Sequence, residues 1–254
     1  MDFHCHLDLY PNARDVCSLA VEKNEFTWLV TTSPRAFAAT SRVLGGYTNL
    51  LITPGLHPEI VHDRYCELDN LLEQIKHVCA VGEVGLDGSK RFQHSYETQC
   101  KVFAAVVSQC ASVGGRVLSI HSRQAVREVL SILSAHPGFG TAVLHWFTGT
   151  AAELKVASDI GCWFSIGPAA FNSASGKALA KKLPRDRVVP ESDGPFAKVN
   201  GTTVMPWSSD LTAELLAQAW GVPVDEAKLS LEFNSRQLLS LIMYPLDAMT
   251  ECNG

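Results

Sequence analysis

The sequence has no excess of positive charge and no long apolar run, and each absence excludes a class of protein. A formal net charge of -5 argues against a broad basic face that wraps nucleic acid by charge alone. It does not exclude a deep site in which metal ions hold phosphate groups. No apolar stretch approaches the roughly 18 residues that a membrane-crossing helix needs, and no basic and apolar leader opens the chain, so we expect no signal peptide.

Paired cysteine motifs and domain linkers are also missing. None of the eight cysteines forms a CxxC pair, and several lie in apolar runs such as HVCAVG (77–82). This usage predicts reduced, buried thiols in a cytoplasmic protein. Because no repeat, low-complexity tract or linker divides the sequence, we expect one domain over residues 1–254.

Short apolar runs rich in β-branched residues recur along the chain and predict strands buried on both faces. Glycine, proline, serine or aspartate bounds each run. The predicted strands cover residues 1–6, 27–32, 49–55, 77–82, 116–122, 141–147, 162–167 and 187–193.

Helical patterns alternate with these runs. The predicted helices cover residues 95–115, 123–136, 150–161, 208–221 and 223–242. The third begins with Thr150 and has Glu153 three residues later, the pattern of a capping box. Eight strands alternating with helices over about 250 residues indicate an α/β protein of the (β/α)8 TIM-barrel type. A doubly wound open sheet is the alternative, but no GxGxxG or Walker-type loop follows the first strand.

Polar residues gather where the predicted strands end. Because the carboxyl ends of barrel strands form one mouth, these side chains are expected to converge there. The strand-end histidines and carboxylates are His4, His6, His57, Glu83, His121, His145, Glu191 and Asp193. His4 and His6 share a face of their strand because residues two apart point the same way.

Imidazoles and carboxylates together suit a divalent metal such as Zn, Mn, Fe or Mg in a hydrolytic centre. Singly, each of these residues has an ordinary structural explanation, such as a core histidine or a turn aspartate. Their coincidence at one mouth predicts a metal site. Two divalent ions would make that mouth cationic and attractive to phosphate.

The same stretches resemble the TatD family of metal-dependent deoxyribonucleases, which are amidohydrolase-like barrels. The resemblance rests on DFHCHLD (2–8), PGLHPE (54–59), VGEVGLD (81–87), IHSRQA (120–125), LHWFTG (144–149), SIGP (165–168), PESDGP (190–195) and FNSRQLL (233–239). It implies a two-metal phosphodiesterase that acts on DNA, often as a 3′→5′ exonuclease.

The resemblance also assigns roles to residues. His4 and His6 would hold one ion, His121 and His145 the other, and Glu83 would bridge the two. Asp193 would bind the first ion beside the attacking water and serve as general base.

We expect supporting roles for four further residues. His57 would bind the scissile phosphate or protonate the leaving oxygen, and Glu191 would orient a ligand or assist the water. Arg123 and Lys198 are candidate phosphate contacts. Cys5, between two ligands, is expected to point away from the metals and pack in the core.

The sequence departs from the family in two loops. Residues 88–95 (GSKRFQHS) lack the aromatic residues usual there, so a substrate-side aromatic is missing or moved to Phe92. Residues 196–209 (FAKVNGTTVMPWSS) replace a loop usually rich in arginine and Asn-Pro. The shortened start of the chain and these two loops together resemble the TatD-like component of Qat anti-phage cassettes, and this resemblance implies a role in antiviral defence.

Two other functions remain open. A small-molecule hydrolase of the amidohydrolase group is one, although such enzymes often use a carboxylated lysine or another bridging ligand. A non-catalytic partner subunit is the other, although the complete set of ligand types argues against it.

Overall fold

A computed structural model describes residues 1–243. The predicted domain extends to residue 254, so its last segment, with Cys252, lies outside the described residues. Alternating strands and helices fill the described part. The strands are β1 (Asp2–Cys5), β2 (Thr27–Val30), β3 (Leu50–Thr53), β4 (Ala80–Gly85), β5 (Arg116–His121), β6 (Gly140–His145), β7 (Trp163–Ile166) and β8 (Val188–Pro190). The helices are α1 (Ala13–Lys23), α2 (Pro34–Leu44), α3 (Val61–Arg64), α4 (Leu68–Ile75), α5 (Tyr96–Ser112), α6 (Val126–Ala135), α7 (Ala151–Asp159), α8 (Ala174–Ala180), α9 (Ser209–Trp220) and α10 (Val224–Met243).

The strands run parallel and in chain order. One sheet has the order β1-β2-β3 and a second has the order β4-β5-β6-β7-β8. All eight predicted strands and five predicted helices are present, and the α/β TIM-barrel type of fold is confirmed. Among residues 1–243, no helix is both long and apolar enough to cross a membrane.

Hydrogen bonds join the two sheets at both seams. At one seam the Gly82 amide donates to the Pro54 carbonyl (2.9 Å), and the Glu83 amide donates to the Thr31 carbonyl (3.0 Å). At the other, the Asp193 amide donates to the His4 carbonyl at 2.9 Å. The carboxyl ends of all eight strands therefore surround one mouth, as the barrel interpretation requires.

Glycine permits the close approach at the first seam. A Cβ on Gly55 would lie 2.4 Å from the backbone nitrogen and oxygen of Glu83. A Cβ on Gly82 would lie 2.8 Å from the Cβ of Ser119. Side chains at these two positions would push β4 away from its neighbours, so the glycines set the depth of Glu83 in the mouth.

A small antiparallel hairpin follows β8. It pairs β9 (Lys198–Val199) with β10 (Thr202–Thr203) across Asn200-Gly201, whose φ angles are +50° and +80°. Positive φ at both turn residues fits an Asn-Gly hairpin turn. This hairpin lies in the unusual loop 196–209, where the sequence predicted no strand.

The burial of the cysteine side chains only partly matches the prediction. Cys5 is buried as predicted, with its Sγ 3.5 Å from the Trp28 carbonyl oxygen, and Cys17, Cys110 and Cys162 are buried as well. Cys66 is exposed, which contradicts the prediction of buried thiols for this residue. It lies in a short connection between α3 and α4, where no sheet covers it.

Candidate metal centre

Glu83 lies at the centre of the mouth, fully buried at the end of β4. Its two carboxylate oxygens face different sets of side chains. Oε2 lies 3.2 Å from His6 Nε2 and 3.5 Å from His4 Nε2. Oε1 lies 2.9 Å from both His121 Nδ1 and His145 Nε2. One carboxylate thus contacts two histidines at the end of β1 and just after it, His4 and His6, and two histidines at the ends of β5 and β6.

Asp193 completes the side of the cluster that faces β1. Its Oδ1 lies 3.8 Å from His4 Nε2 and 3.9 Å from His6 Nε2. The residue has φ of +47°, a left-handed conformation that aspartate tolerates better than most residues. The turn after β8 therefore brings a carboxylate beside the two histidines of the first strand.

A buried network positions Asp193 from below. The Asp2 carboxylate accepts hydrogen bonds from the Ser192 amide (3.0 Å) and the Ser192 hydroxyl (2.6 Å). The His6 amide donates to the Gly194 carbonyl at 2.8 Å. Asp2 thus joins the beginning of β1 to the segment that carries Asp193.

His4 and His121 each have a second polar partner that orients the ring. His4 Nδ1 lies 2.7 Å from Ser119 Oγ, which leaves its Nε2 directed into the cluster. His121 Nε2 lies 3.0 Å from the Asp87 carboxylate, which leaves its Nδ1 directed at Glu83. Ligand histidines in metalloproteins are usually fixed in this way through the opposite ring nitrogen.

Several of the ring nitrogens have no hydrogen-bond partner although they are buried. They are His4 Nε2, His6 Nδ1 and His145 Nδ1. Buried polar atoms without a partner are rare in folded proteins. Ligand atoms within 4.8 Å of one another occur in three sets: His4, His145 and Asp193; His4, His6 and Glu83; His57, Glu83 and His121. The donor set fits divalent metal, since imidazole and carboxylate are its usual ligands.

The histidines of the cluster differ in ionisation. Burial opposes the charged form of each ring, yet neighbouring carboxylates raise the pKa of His6, His121 and His145, that of His145 to about 10. Burial lowers the pKa of His4 well below its usual value and keeps the ring neutral, the form that binds metal. Burial alone would raise the pKa of Glu83, but the surrounding histidines, His57 first, hold it well below its usual value. Glu83 is therefore an anion at the bottom of the mouth.

His57 joins the same cluster from the loop after β3. Its Nε2 lies 3.2 Å from Glu83 Oε1, and its Nδ1 accepts a hydrogen bond from the Glu59 amide at 3.1 Å. Because Nδ1 accepts, the proton of the neutral ring is on Nε2. His57 thus presents an N–H to the mouth and is 14% exposed, which makes it reachable by a bound molecule.

Glu191 lies beside the cluster, at the end of β8. Its carboxylate accepts hydrogen bonds from the Ser165 hydroxyl and from the Trp146 amide (3.1 Å). It also lies 3.8 Å from His145 Nδ1. Burial raises the pKa of Glu191 to about 8. Glu191 thus lies outside the cluster and contacts the His145 ring.

The structure separates the remaining sequence candidates from the cluster. Arg123 and Lys198 are both exposed. Phe92 is 8% exposed and lies under Arg91, whose guanidinium carbon is 4.9 Å from the ring centroid. Because this ring is buried, the structure favours the first of the two alternatives for residues 88–95, that the substrate-side aromatic is missing.

Sequence reasoning missed three residues that hold the site in place: Ser119, Asp87 and Ser165. Ser119 had one usable signal, since it lies two residues before His121 and so shares its face of β5. Asp87 ends the stretch VGEVGLD, although no role was attached to it. Ser165 contacts Glu191 across neighbouring strands, and no local pattern predicts such a contact.

Comparison with known proteins gives a consistent family. The family described as TatD related DNase matches residues 1–240. The chain is 28% identical over 252 residues to human deoxyribonuclease TATDN3, covering 89% of each protein. It is 31% identical over 154 residues to the 3′-5′ ssDNA/RNA exonuclease TatD of Pectobacterium parmentieri, covering 57% of each. Among solved structures, the TatD homologue YjjV from Escherichia coli is 21% identical and has a TM-score of 0.77, covering 96% of this chain and 97% of that one.

Proposed function

The chain belongs to the TatD-related DNase family, a family of metal-dependent hydrolases, and from this membership we propose that it hydrolyses phosphodiester bonds in DNA. The proposal includes two divalent ions, Mg, Mn or Zn, held at the mouth of the barrel. It also includes one catalytic domain over residues 1–254, acting in the cytoplasm.

The arrangement around Glu83 carries the proposal. Its Oε2 faces His4 and His6, and its Oε1 faces His121, His145 and also His57, at distances of 2.9 to 3.5 Å. This division supports His4, His6 and Asp193 as ligands of one ion, and His121 and His145 as ligands of the other. Glu83 would then bridge the pair, as carboxylates do in two-metal hydrolases.

When bound, two divalent ions would activate water and neutralise the negative charge of the phosphate. The protein residues do the remaining work. Asp193 lies at the open side of the cluster, 7% exposed, and its carboxylate takes a proton from the attacking water. The buried floor formed by Glu83 and His4 keeps the reacting groups in a fixed geometry.

His57 and Glu191 have supporting roles in the proposed reaction. The Nε2–H group of the neutral His57 ring suits a hydrogen bond to a phosphate oxygen. Transfer of a proton to the leaving oxygen, the other proposed role, requires the doubly protonated ring, in which Nδ1 no longer accepts from the Glu59 amide. Glu191 contacts His145 and the Trp146 amide, so it orients the cluster from behind. Arg123 and Lys198, at the exposed rim, would contact phosphates of neighbouring nucleotides.

The direction of cleavage and the biological setting are finer proposals. A 3′→5′ exonuclease acting on single strands is supported by the activity for which the Pectobacterium relative is named. A role in anti-phage defence is supported by the unusual loops 88–95 and 196–209 alone. Plaque counts on bacteria that express the chain with its neighbouring genes, against a Glu83→Gln variant, test that role, and equal counts would contradict it.

A cleavage assay tests the main proposal. Purified protein is incubated with end-labelled single- and double-stranded DNA in Mg²⁺, Mn²⁺, Zn²⁺ or EDTA, and the products are resolved on a gel. Glu83→Gln and Asp193→Asn are compared with Glu128→Gln and Asp63→Asn, which change the same residue types at exposed positions.

We expect metal-dependent cleavage that both site variants lose and both surface variants keep. Cleavage that persists in EDTA, or at equal rates in the site variants, would contradict the proposal. Absence of DNA cleavage together with metal-dependent hydrolysis of lactones or amides would favour the small-molecule alternative. Absence of any hydrolysis would favour the partner-subunit alternative.

A further inference from the structure

Phe196 is an exposed aromatic residue at the edge of the metal centre. Its side chain is 60% exposed, whereas His6 beside it is 2% exposed. The two rings meet edge to face, with centroids 5.2 Å apart and an interplanar angle of 79°. The ring covers one edge of a candidate ligand histidine and leaves most of its own surface open at the mouth.

The backbone that carries Phe196 is firmly held. The amides of Phe196 and Ala197 both donate to the Asp193 carbonyl, at 3.0 and 2.9 Å. The Val204 amide donates to the Ala197 carbonyl at 2.9 Å, and the Tyr10 hydroxyl donates to the Val204 carbonyl at 3.1 Å. Exposure of the ring is therefore a property of a fixed site and does not come from an unsupported loop.

The surroundings of this ring match one kind of ligand. The adjacent cluster is suited to a phosphate group, and the exposed Lys198 lies two residues further along β9. A flat aromatic ring beside a phosphate site offers a stacking surface for the base joined to that phosphate. Stacking of this kind tolerates any base, because every base has a π-face.

We propose that Phe196 is the base-stacking platform of the active site and binds the nucleobase next to the scissile phosphate in single-stranded DNA. This inference rests on the proposed phosphodiesterase function and specifies how its substrate is held. It also gives a function to the segment 196–209, where the sequence departs from its relatives. Duplex DNA would fit less well, since its bases are already stacked on one another.

The test compares two oligonucleotides of equal length. One carries normal bases, and the other carries abasic tetrahydrofuran residues at the three nucleotides nearest the cleaved end. The measured quantity is the ratio of kcat/KM for the normal strand to kcat/KM for the abasic strand. The variants are Phe196→Ala, Phe196→Trp and, as a matched control, Phe233→Ala, which removes a 63% exposed phenylalanine on the outer helix α10.

We expect Phe196→Ala to lower this ratio about 5- to 150-fold, mainly through KM, the range that loss of one base–aromatic stack produces. Phe196→Trp keeps the ratio high, and Phe233→Ala leaves it as in the wild type. Bound metal, measured in parallel by elemental analysis, stays equal in all variants.

Two results would contradict the proposal that Phe196 binds a base. One is an unchanged ratio in Phe196→Ala. The other is an equal loss on both strands, which would mean that the ring supports the site without binding a base. If the wild-type protein cleaves neither strand in the presence of metal, the phosphodiesterase function itself fails, and the subsite fails with it.

Discussion

The partners of the two ring nitrogens determine which nitrogen of a histidine in the cluster can bind a metal ion. His121 lies between two carboxylates, with Nδ1 2.9 Å from Glu83 and Nε2 3.0 Å from Asp87. Burial disfavours the charged form of Asp87, but the hydrogen bonds from His121 and Ser89 lower its pKa to about 2. Asp87 is therefore an anion that holds a His121 proton on Nε2, and Nδ1 is the ring nitrogen that faces Glu83 and would bind a metal ion.

Removal of the Asp87 charge should weaken the site without removing a ligand. We expect Asp87→Asn to lower metal affinity or activity about 10- to 100-fold, because the ring loses the partner that fixes its tautomer. Metal titration followed by calorimetry measures the affinity, and Asp63→Asn is the exposed control. An affinity equal to that of the wild type would show that His121 does not depend on this contact.

At the scale of single residues, the sequence predicts which residues are candidate metal ligands. It does not predict the residues that orient those ligands. The histidines and carboxylates were found because strand ends meet in any parallel barrel. Ser119, Asp87 and Ser165 depend on strand register and side-chain direction, which are set by the packing of whole sheets. The predicted pairing of His121 with His145 is a hypothesis that their shared proximity to Glu83 Oε1 supports.

Elements were predicted best where their ends carry a recognisable signal. The capping box that opens α7 is present: the Glu153 amide donates to Thr150 Oγ1 at 3.2 Å, and the Thr150 amide donates to the Glu153 carboxylate at 2.7 Å. Helix α2 begins with a similar signal, since Ser33 Oγ accepts from the Ala36 amide and Pro34 opens the helix. Helix α2 was not predicted, although this signal is present in the sequence.

Removal of the N-cap of α7 should lower the stability of the protein and leave its catalytic activity unchanged. We expect Thr150→Ala to lower the free energy of unfolding by about 1 kcal/mol, because the Glu153 amide loses its acceptor and the Glu153 carboxylate loses the Thr150 hydroxyl. Urea denaturation measures the change. Thr148→Ala, an exposed threonine in the same loop, is expected to change stability by less than about 0.5 kcal/mol. Equal effects of the two substitutions would mean that the capping box contributes nothing.

Helices α3, α4 and α8 were also missed. They have 4, 8 and 7 residues, so the helical period repeats too few times to be distinguished from a loop. Helix α1 was missed as well, and its 11 residues are no fewer than those of the predicted α6 and α7, so length does not explain it. The hairpin β9–β10 has strands of two residues, too short to show the alternation of a strand. The inward turn of Phe92 and the outward turn of Phe196 are likewise tertiary outcomes, since the residue type is the same at both positions.

On the scale of the whole molecule, the proposed metal site ties distant parts of the barrel together. Glu83 contacts residues from β1, β5 and β6, and Asp193 adds the segment after β8. Ions bound here would hold both sheets at the mouth. Metal that binds the folded state alone adds its binding free energy to folding stability.

Metal should therefore stabilise the protein globally. At a Mn²⁺ concentration of 100 times its Kd, we expect the free energy of unfolding to rise by about 2.7 kcal/mol. Urea denaturation with Mn²⁺ and with EDTA measures the difference. Glu83→Gln should lose most of this gain, whereas Glu128→Gln should keep it. An equal gain in Glu83→Gln would mean that the ions stabilise the protein from another site.

The central claim is that Glu83 bridges two metal ions, and anomalous diffraction from Mn²⁺-soaked crystals tests it most directly. The account predicts two peaks about 3.5 to 4 Å apart, one on each side of the Glu83 carboxylate. One peak should lie among His4, His6 and Asp193, and the other beside His121 and His145. A single peak at full loading, or peaks away from this carboxylate, would contradict the account.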